Sequence, residues 1–226
     1  MNILAVETAL GACSAAVVSG DQVLAQEHEP MLRGHAESLA PMVQRIMLRA
    51  GMQFRALERI AVTTGPGTFT GQRVGLAFAR ALGVVLKIPV AGITTLEVMA
   101  EEALTRLPAA TWSIVAADAK RKEIYLASTA AGGKFLIEPQ LVALADLETA
   151  VSGIAIQYGF APVLAGTAAG LAESVLTPLG YRPQDSGVRQ PSAVFLAALA
   201  ARTSDIKSAK PLYLRPPDAK PPGIPR

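Results

Sequence analysis

Apolar positions recur along this chain in two periods, and the switches between them mark its elements. Asn2–Glu7 and residues 13–18 are short apolar runs, and Gly20-Asp21 turns the second into a third run, residues 22–27, which predicts an antiparallel meander. The period then becomes helical. Leu39, Met42, Val43, Ile46 and Ala50 share one stripe that ends at Gly51, with Pro41 expected in the first turns. Residues 60–64 read as a β-branched strand, Gly65-Pro66-Gly67 breaks it, Thr68 or Thr70 can cap the next helix, and helical spacing resumes from Gly71 to Leu86. A strand at Val90–Ile93 and a helix over residues 95–105 complete the order β-β-β-α-β-α-β-α.

The same order starts again further along. An offset of 111 residues places Ile3 on Ile114 and Glu7 on Asp118, so an apolar strand ends in an acid both times. Residues 13–18 then fall on 124–129, and Gly20-Asp21 lands beside Gly132-Gly133. Beyond this the pattern predicts a helix over 144–151, strands over 154–158 and 163–164, a helix over 168–176 and a last apolar helix over 192–202 that packs back on the body. The division expected is a first lobe at 1–105, a smaller second lobe at 106–206 and a tail at 207–226. That tail holds six prolines and five Lys or Arg, a composition expected to be extended or disordered.

The helix after the glycine-rich turn carries two stripes that ask for different neighbours. Val74, Phe78, Leu82 and Val85 form a core-type face. Gly71, Gly75, Ala79 and Gly83 recur every four residues, and three helical glycines cost about 1 kcal/mol each against alanine, which calls for a compensating close approach. Tight packing within the monomer and a helix-to-helix subunit contact both supply one. The glycine spacing of the turn, G-x-G-x-x-x-G, lacks the Gly-Lys-Ser/Thr of a phosphate loop, although a helix N-terminus can hold an anion. Arg73 in the first turn opposes the helix dipole and calls for a carboxylate or phosphate partner.

Composition narrows the classes. The 226 residues are 51% hydrophobic and only 17% charged, which leaves less charged surface than usual and favours an oligomer or a complex. Net charge is +3, which permits nucleic-acid contact without demanding it. One cysteine excludes an intrachain disulfide and fits a reducing cytosol. No Lys or Arg precedes the apolar N-terminus and Glu7 interrupts it, so it reads as strands rather than a signal. Chemistry is sparse: two histidines, His28 and His35, seven residues apart, give no metal pattern, and no nucleophile elbow is present.

Two lobes that each open with an acid-ended strand and a hairpin describe the actin-like ATPase or ribonuclease-H-like α/β architecture. Glu7, Thr8 and Asp118 stand where such folds hold a nucleotide and its metal, although turn capping accounts for either acid equally well. Residues 3–8, 65–75, 89–96, 117–125 and 211–215 together resemble the TsaB (YeaZ) family, accessory subunits of the machinery that makes threonylcarbamoyladenosine on tRNA. The resemblance implies a cytoplasmic, non-catalytic protein of actin-like fold whose partners are a TsaD-type catalytic subunit and a TsaE-type ATPase, with tRNA reached indirectly, a homodimer through the same helices and no membrane contact. It implies no cofactor, with ATP or ADP weakly supported.

TsaD relatives hold metal through His-x-x-x-His on the first helix. Here His35 is followed four residues later by Leu39. Glu7, Ala9 and Gln72 depart from the family's usual Asp, Ser and Leu. The expected subunit contact is the ridge Gly71, Gly75, Ala79 and Gly83, with Arg73 and Arg80 at its rim and Leu39, Met42, Val43 and Ile46 on the first helix. The competing reading is an ATP-dependent small-molecule kinase of the same superfamily, and a third is a glycoprotease-like metallopeptidase.

Overall fold

The computed structural model describes residues 1–203 and 209–215. The chain runs β1 (Asn2–Glu7), β2 (Ala12–Ser19), β3 (Gln22–Pro30), α1 (His35–Arg49), β4 (Arg59–Thr63), α2 (Phe69–Leu86), β5 (Val90–Ile93) and α3 (Thr95–Arg106). It continues through β6 (Trp112–Asp118), β7 (Glu123–Ala130), β8 (Phe135–Ala143), α4 (Leu147–Tyr158), β9 (Val163–Ala165), α5 (Ala169–Leu176), β10 (Gln184–Asp185) and α6 (Ala193–Arg202). Two five-stranded sheets result, ordered β3-β2-β1-β4-β5 and β8-β7-β6-β9-β10. In each, an antiparallel meander pairs through its first strand with a parallel strand.

The internal repeat is therefore real, with β6 and β7 lying 111 residues after β1 and β2. The second hairpin is one residue tighter, pairing Asp118 with Ile124 where the first pairs Glu7 with Ser14. Its turn takes up the difference with Lys120, Arg121 and Lys122 all at φ near +60° (63°, 57° and 60°), a left-handed run that costs L-residues roughly 1 kcal/mol or more each.

Both faces of each sheet are covered, which is why β1 and β6 read as continuous apolar runs. Leu4, Val6 and Val17 face α1 and α2, while Ile3, Ala5 and Ala16 face α6. In the second sheet Trp112, Ile114 and Leu126 face α4 and α5, and Val115, Ala117 and Ala127 face α3. The two lobes thus exchange helices. α3 follows the first lobe in sequence but packs on β6, β7 and β9, and α6 follows the second lobe but packs on β1 and β2.

Three elements differ from the sequence reading. Residues 154–158 are the second half of α4 and not a strand: Leu147, Val151 and Ala155 are buried at a spacing of four, which only a helix places on one side. The two-residue strand β10 carries no periodic signal that could have announced it. Residues 209–215 of the expected tail lie against the body, with Ala209 buried beside Gly92 and the Leu212 amide donating to the Thr64 carbonyl at 2.8 Å. The rest of the tail, residues 207–208 and 216–226, lies outside the described residues.

Candidate functional site

The glycine ridge of α2 is used inside the monomer. A Cβ on Gly71 would lie 2.1 Å from the Thr8 carbonyl oxygen, and one on Gly75 would lie 2.6 Å from Thr8 Oγ1. Gly83 abuts Val90, and Ala79 is fully buried. The expected contact at Gly71, Gly75, Ala79 and Gly83 is corrected accordingly: small residues let α2 lie directly on the β1–β2 turn and on β4, and the closeness that makes them necessary leaves no surface for a partner. Leu39, Met42, Val43 and Ile46 are likewise buried in the first-lobe core, since the apolar stripe of α1 packs on β2. Val74, Phe78 and Leu82 are only partly buried, and Val85 is 75% exposed.

The outer side of α2 is a mixed surface. Phe69 is 58% and Val84 77% exposed, and Ala77, Ala81, Arg73 and Arg80 share the exposed side with them. At its start the docked C-terminal segment adds Tyr213. The Arg73 guanidinium sits 3.6 Å from the Phe69 ring centroid, Tyr213 stacks on Phe69 at 6.0 Å, and Arg73 Nε donates to the Tyr213 hydroxyl at 3.0 Å. The partner that Arg73 was expected to need is thus aromatic and not anionic. Two residues on, Arg215 pairs with Glu123 of β7, so this short segment bridges the first lobe to the second.

The cleft residues part company. Glu7 is fully buried, and that burial pushes its carboxyl up to about 8 against the pull of the Ala9 amide and the Thr63 hydroxyl. Oε1 accepts from Ala9 N at 2.5 Å and Thr63 Oγ1 at 3.3 Å, while Oε2 has no hydrogen-bond partner among the described residues. Thr8 donates its hydroxyl to the Gly71 carbonyl at 2.7 Å. Asp118 is exposed and held below the usual carboxylate range by Lys120, whose ammonium lies 2.6 Å from Oδ2 and whose amide donates to Oδ1.

The β1–β2 turn, which the actin-like reading of the sequence set beside a nucleotide, engages two of its amides internally. Ala9 N donates to Glu7 and Gly11 N to Gln190 Oε1 at 2.8 Å, and the Ala9 carbonyl accepts from Thr68 N at 2.7 Å. Gln190, far along the chain, was not legible in the sequence; Phe69 and Tyr213 lay inside the stretches that carried the family resemblance. Among the described residues no group of three or more His, Cys, Asp or Glu could hold a metal ion, and no helix is long and apolar enough to cross a membrane.

Two repeated lobes with exchanged helices define an actin-like α/β protein, and structural comparison agrees: a ROK hexokinase from Thermus thermophilus superposes with TM-score 0.53 at 14% identity, covering 88% of this chain and 98% of that one, a likeness of fold alone. YeaZ from Pseudomonas aeruginosa superposes with TM-score 0.78 at 28% identity over 94% of this chain and 99% of that one. Residues 23–185 match the family described as TsaD: tRNA N6-adenosine threonylcarbamoyltransferase. In sequence, the tRNA threonylcarbamoyladenosine biosynthesis protein TsaB of Escherichia coli (strain K12) is 38% identical over 127 residues, 56% of this chain and 54% of that protein, so the match spans about half the length of that relative. An uncharacterized protein of Mycobacterium tuberculosis (strain ATCC 25618 / H37Rv) is 32% identical over 97% of this chain and 94% of its own. The chain belongs to the TsaB/YeaZ family.

Proposed function

We propose that this chain is a cytoplasmic, non-catalytic accessory subunit in the synthesis of threonylcarbamoyladenosine on tRNA, and that it binds and activates a TsaD-type catalytic subunit. The observation that carries the reading is the division of labour on α2. Its small ridge closes the β1–β2 turn from within, while its outer side presents Phe69, Ala77, Ala81, Val84 and Val85 to solvent. A helix side that mixes exposed apolar residues with two arginines is the kind of surface a partner helix covers, with Arg73 and Arg80 contributing little individually. In this reading the face chosen from the sequence moves around the same helix by about half a turn. A TsaE-type ATPase would join the pair, tRNA would be reached through the catalytic subunit, and a second copy of the chain would use the same face when no partner is present.

The names of the TsaB relatives support the pathway, and the engaged amides of Ala9 and Gly11 favour an accessory role over an ATP-dependent kinase. The test is co-purification with the TsaD-type subunit of the same cell. Val84→Glu and Ala81→Arg are expected to weaken association at least tenfold while the isolated chain keeps its melting temperature. Retained association with both variants, or ATP turnover by the chain alone with a small-molecule acceptor, would sink the reading.

A further inference from the structure

We propose that the docked C-terminal segment, residues 209–215, is itself part of the surface that receives the partner subunit. In this arrangement Tyr213 and Phe69 together anchor an apolar helix flanked by carboxylates. The inference rests on the reading of α2 given above and adds to it an element that lies about 130 residues further along the chain.

The segment is seated from within at several points. Ala209 packs against Gly92, where an added Cβ would lie 2.8 Å from the Ala209 Cα, and the Leu212 amide donates to the Thr64 carbonyl at 2.8 Å. Arg215 pairs with Glu123 of β7. Pro211, Leu212 and Leu214 are half-buried, so among the apolar side chains of the segment only Tyr213 is exposed, at 46%. It leans on Phe69, with ring centroids 6.0 Å apart and planes 28° from parallel, and Phe69 still leaves 58% of its surface in water. Arg73 braces the pair: its guanidinium lies over the Phe69 ring and its Nε donates to the Tyr213 hydroxyl. Two large rings fixed in place yet half in water form a preorganised apolar knob, which a partner can cover at little cost in side-chain ordering.

The knob is continuous with the outer side of α2. Phe69, Arg73, Ala77, Arg80 and Val84 are all exposed and recur at spacings of four, four, three and four, one stripe about 22 Å long. Charge then selects the partner's chemistry. α2 has Arg73 and Arg80 but no Asp or Glu in 18 residues, and residues 209–215 add Lys210 and no acid. An apolar helix with carboxylates along its margins complements this stripe, whereas a basic one is repelled. Because Arg215 ties the same segment to β7, a partner seated on Tyr213 is joined through it to the second lobe as well as the first.

The experiment uses the full chain and the TsaD-type subunit of the same cell. Calorimetry gives the affinity, and hydrogen–deuterium exchange follows residues 209–215 with and without that subunit. At least tenfold weaker binding is expected for Tyr213→Ala. Tyr213→Phe, which keeps the ring and loses the hydroxyl, should stay within about threefold of the parent, and exchange in the segment should slow on complex formation. If Tyr213→Ala unseats the whole segment, Tyr213→Phe and the exchange of the parent chain decide the question. Parental or tighter affinity in Tyr213→Ala, or exchange unchanged by the partner, overturns the inference. Where Val84→Glu still weakens association, that result leaves the reading of α2 standing; where no variant weakens it, both fall together.

Discussion

Glu7 shows how one residue changes meaning once its surroundings are known. As an acid at the end of the first strand it fits a nucleotide cleft, but its carboxyl is buried and pushed up to about 8, so near neutral pH it is largely protonated. Because its folded pKa lies above its unfolded value of 4.5, the fold is favoured most below that value and loses stability as pH rises toward 8. The slope reaches at most about 1.4 kcal/mol per pH unit and vanishes above the folded pKa. Glu7→Gln is expected to remove this loss, so urea midpoints compared at the two ends of the window should converge in the variant and diverge in the parent. Gly75 makes the matching case for packing. With Thr8 Oγ1 2.6 Å from any added Cβ, Gly75→Ala should destabilise the isolated chain by about 1–3 kcal/mol and Gly75→Leu by more. Chemical denaturation of the monomer measures this, and unchanged stability in Gly75→Leu would return the ridge to the surface.

Among the elements, α2 is a helix whose two sides do opposite work, and the C-terminal segment completes its outer one. Tyr213 joins Phe69 and Arg73 at the start of α2, and Arg215 ties the segment to Glu123 in the second lobe. Tyr213→Ala removes an aromatic stack and a hydrogen bond to a cation. The expected cost is about 1–3 kcal/mol, read as a lower melting temperature. Arg215→Ala should cost less, about 1 kcal/mol or below, since its pair is partly solvated. Equal melting temperatures for Tyr213→Ala and the parent would mean that the segment does not stay docked in solution.

For the whole molecule, the exchange of α3 and α6 decides how it unfolds. Neither lobe covers both faces of its own sheet with its own helices: removing α6 would bare Ile3, Ala5 and Ala16, and removing α3 would bare Val115, Ala117 and Ala127. One cooperative transition is expected in place of two. The single tryptophan, Trp112, lies in the second-lobe core and reports that lobe alone, whereas circular dichroism reports both. Coincident urea midpoints from the two signals are expected; fluorescence that changes well before dichroism would mean independent lobes.

Much of this architecture was already decided along the chain, because strand and helix periods are local and survive without tertiary context. The meander, a threonine cap at Thr68 or Thr70 and the small-residue ridge reduce to spacings within single segments, and the 111-residue repeat to a comparison of two such segments. Those spacings state that α2 needs a close neighbour, yet they leave its identity open, since Gly75 makes room equally for a partner helix and for Thr8. The same holds for residues 154–158, whose alternating Ile154 and Ile156 suit a strand until the sheet beneath Val151 and Ala155 selects the helix. Only tertiary structure decided which stripe of α1 and α2 faces water, that α3 and α6 change lobes, and that Gln190 and Tyr213 return across the fold to the turn and to α2. These are choices among faces and distant contacts, settled by which arrangement buries the most apolar surface and satisfies the most polar groups at once, and no window of sequence contains that comparison.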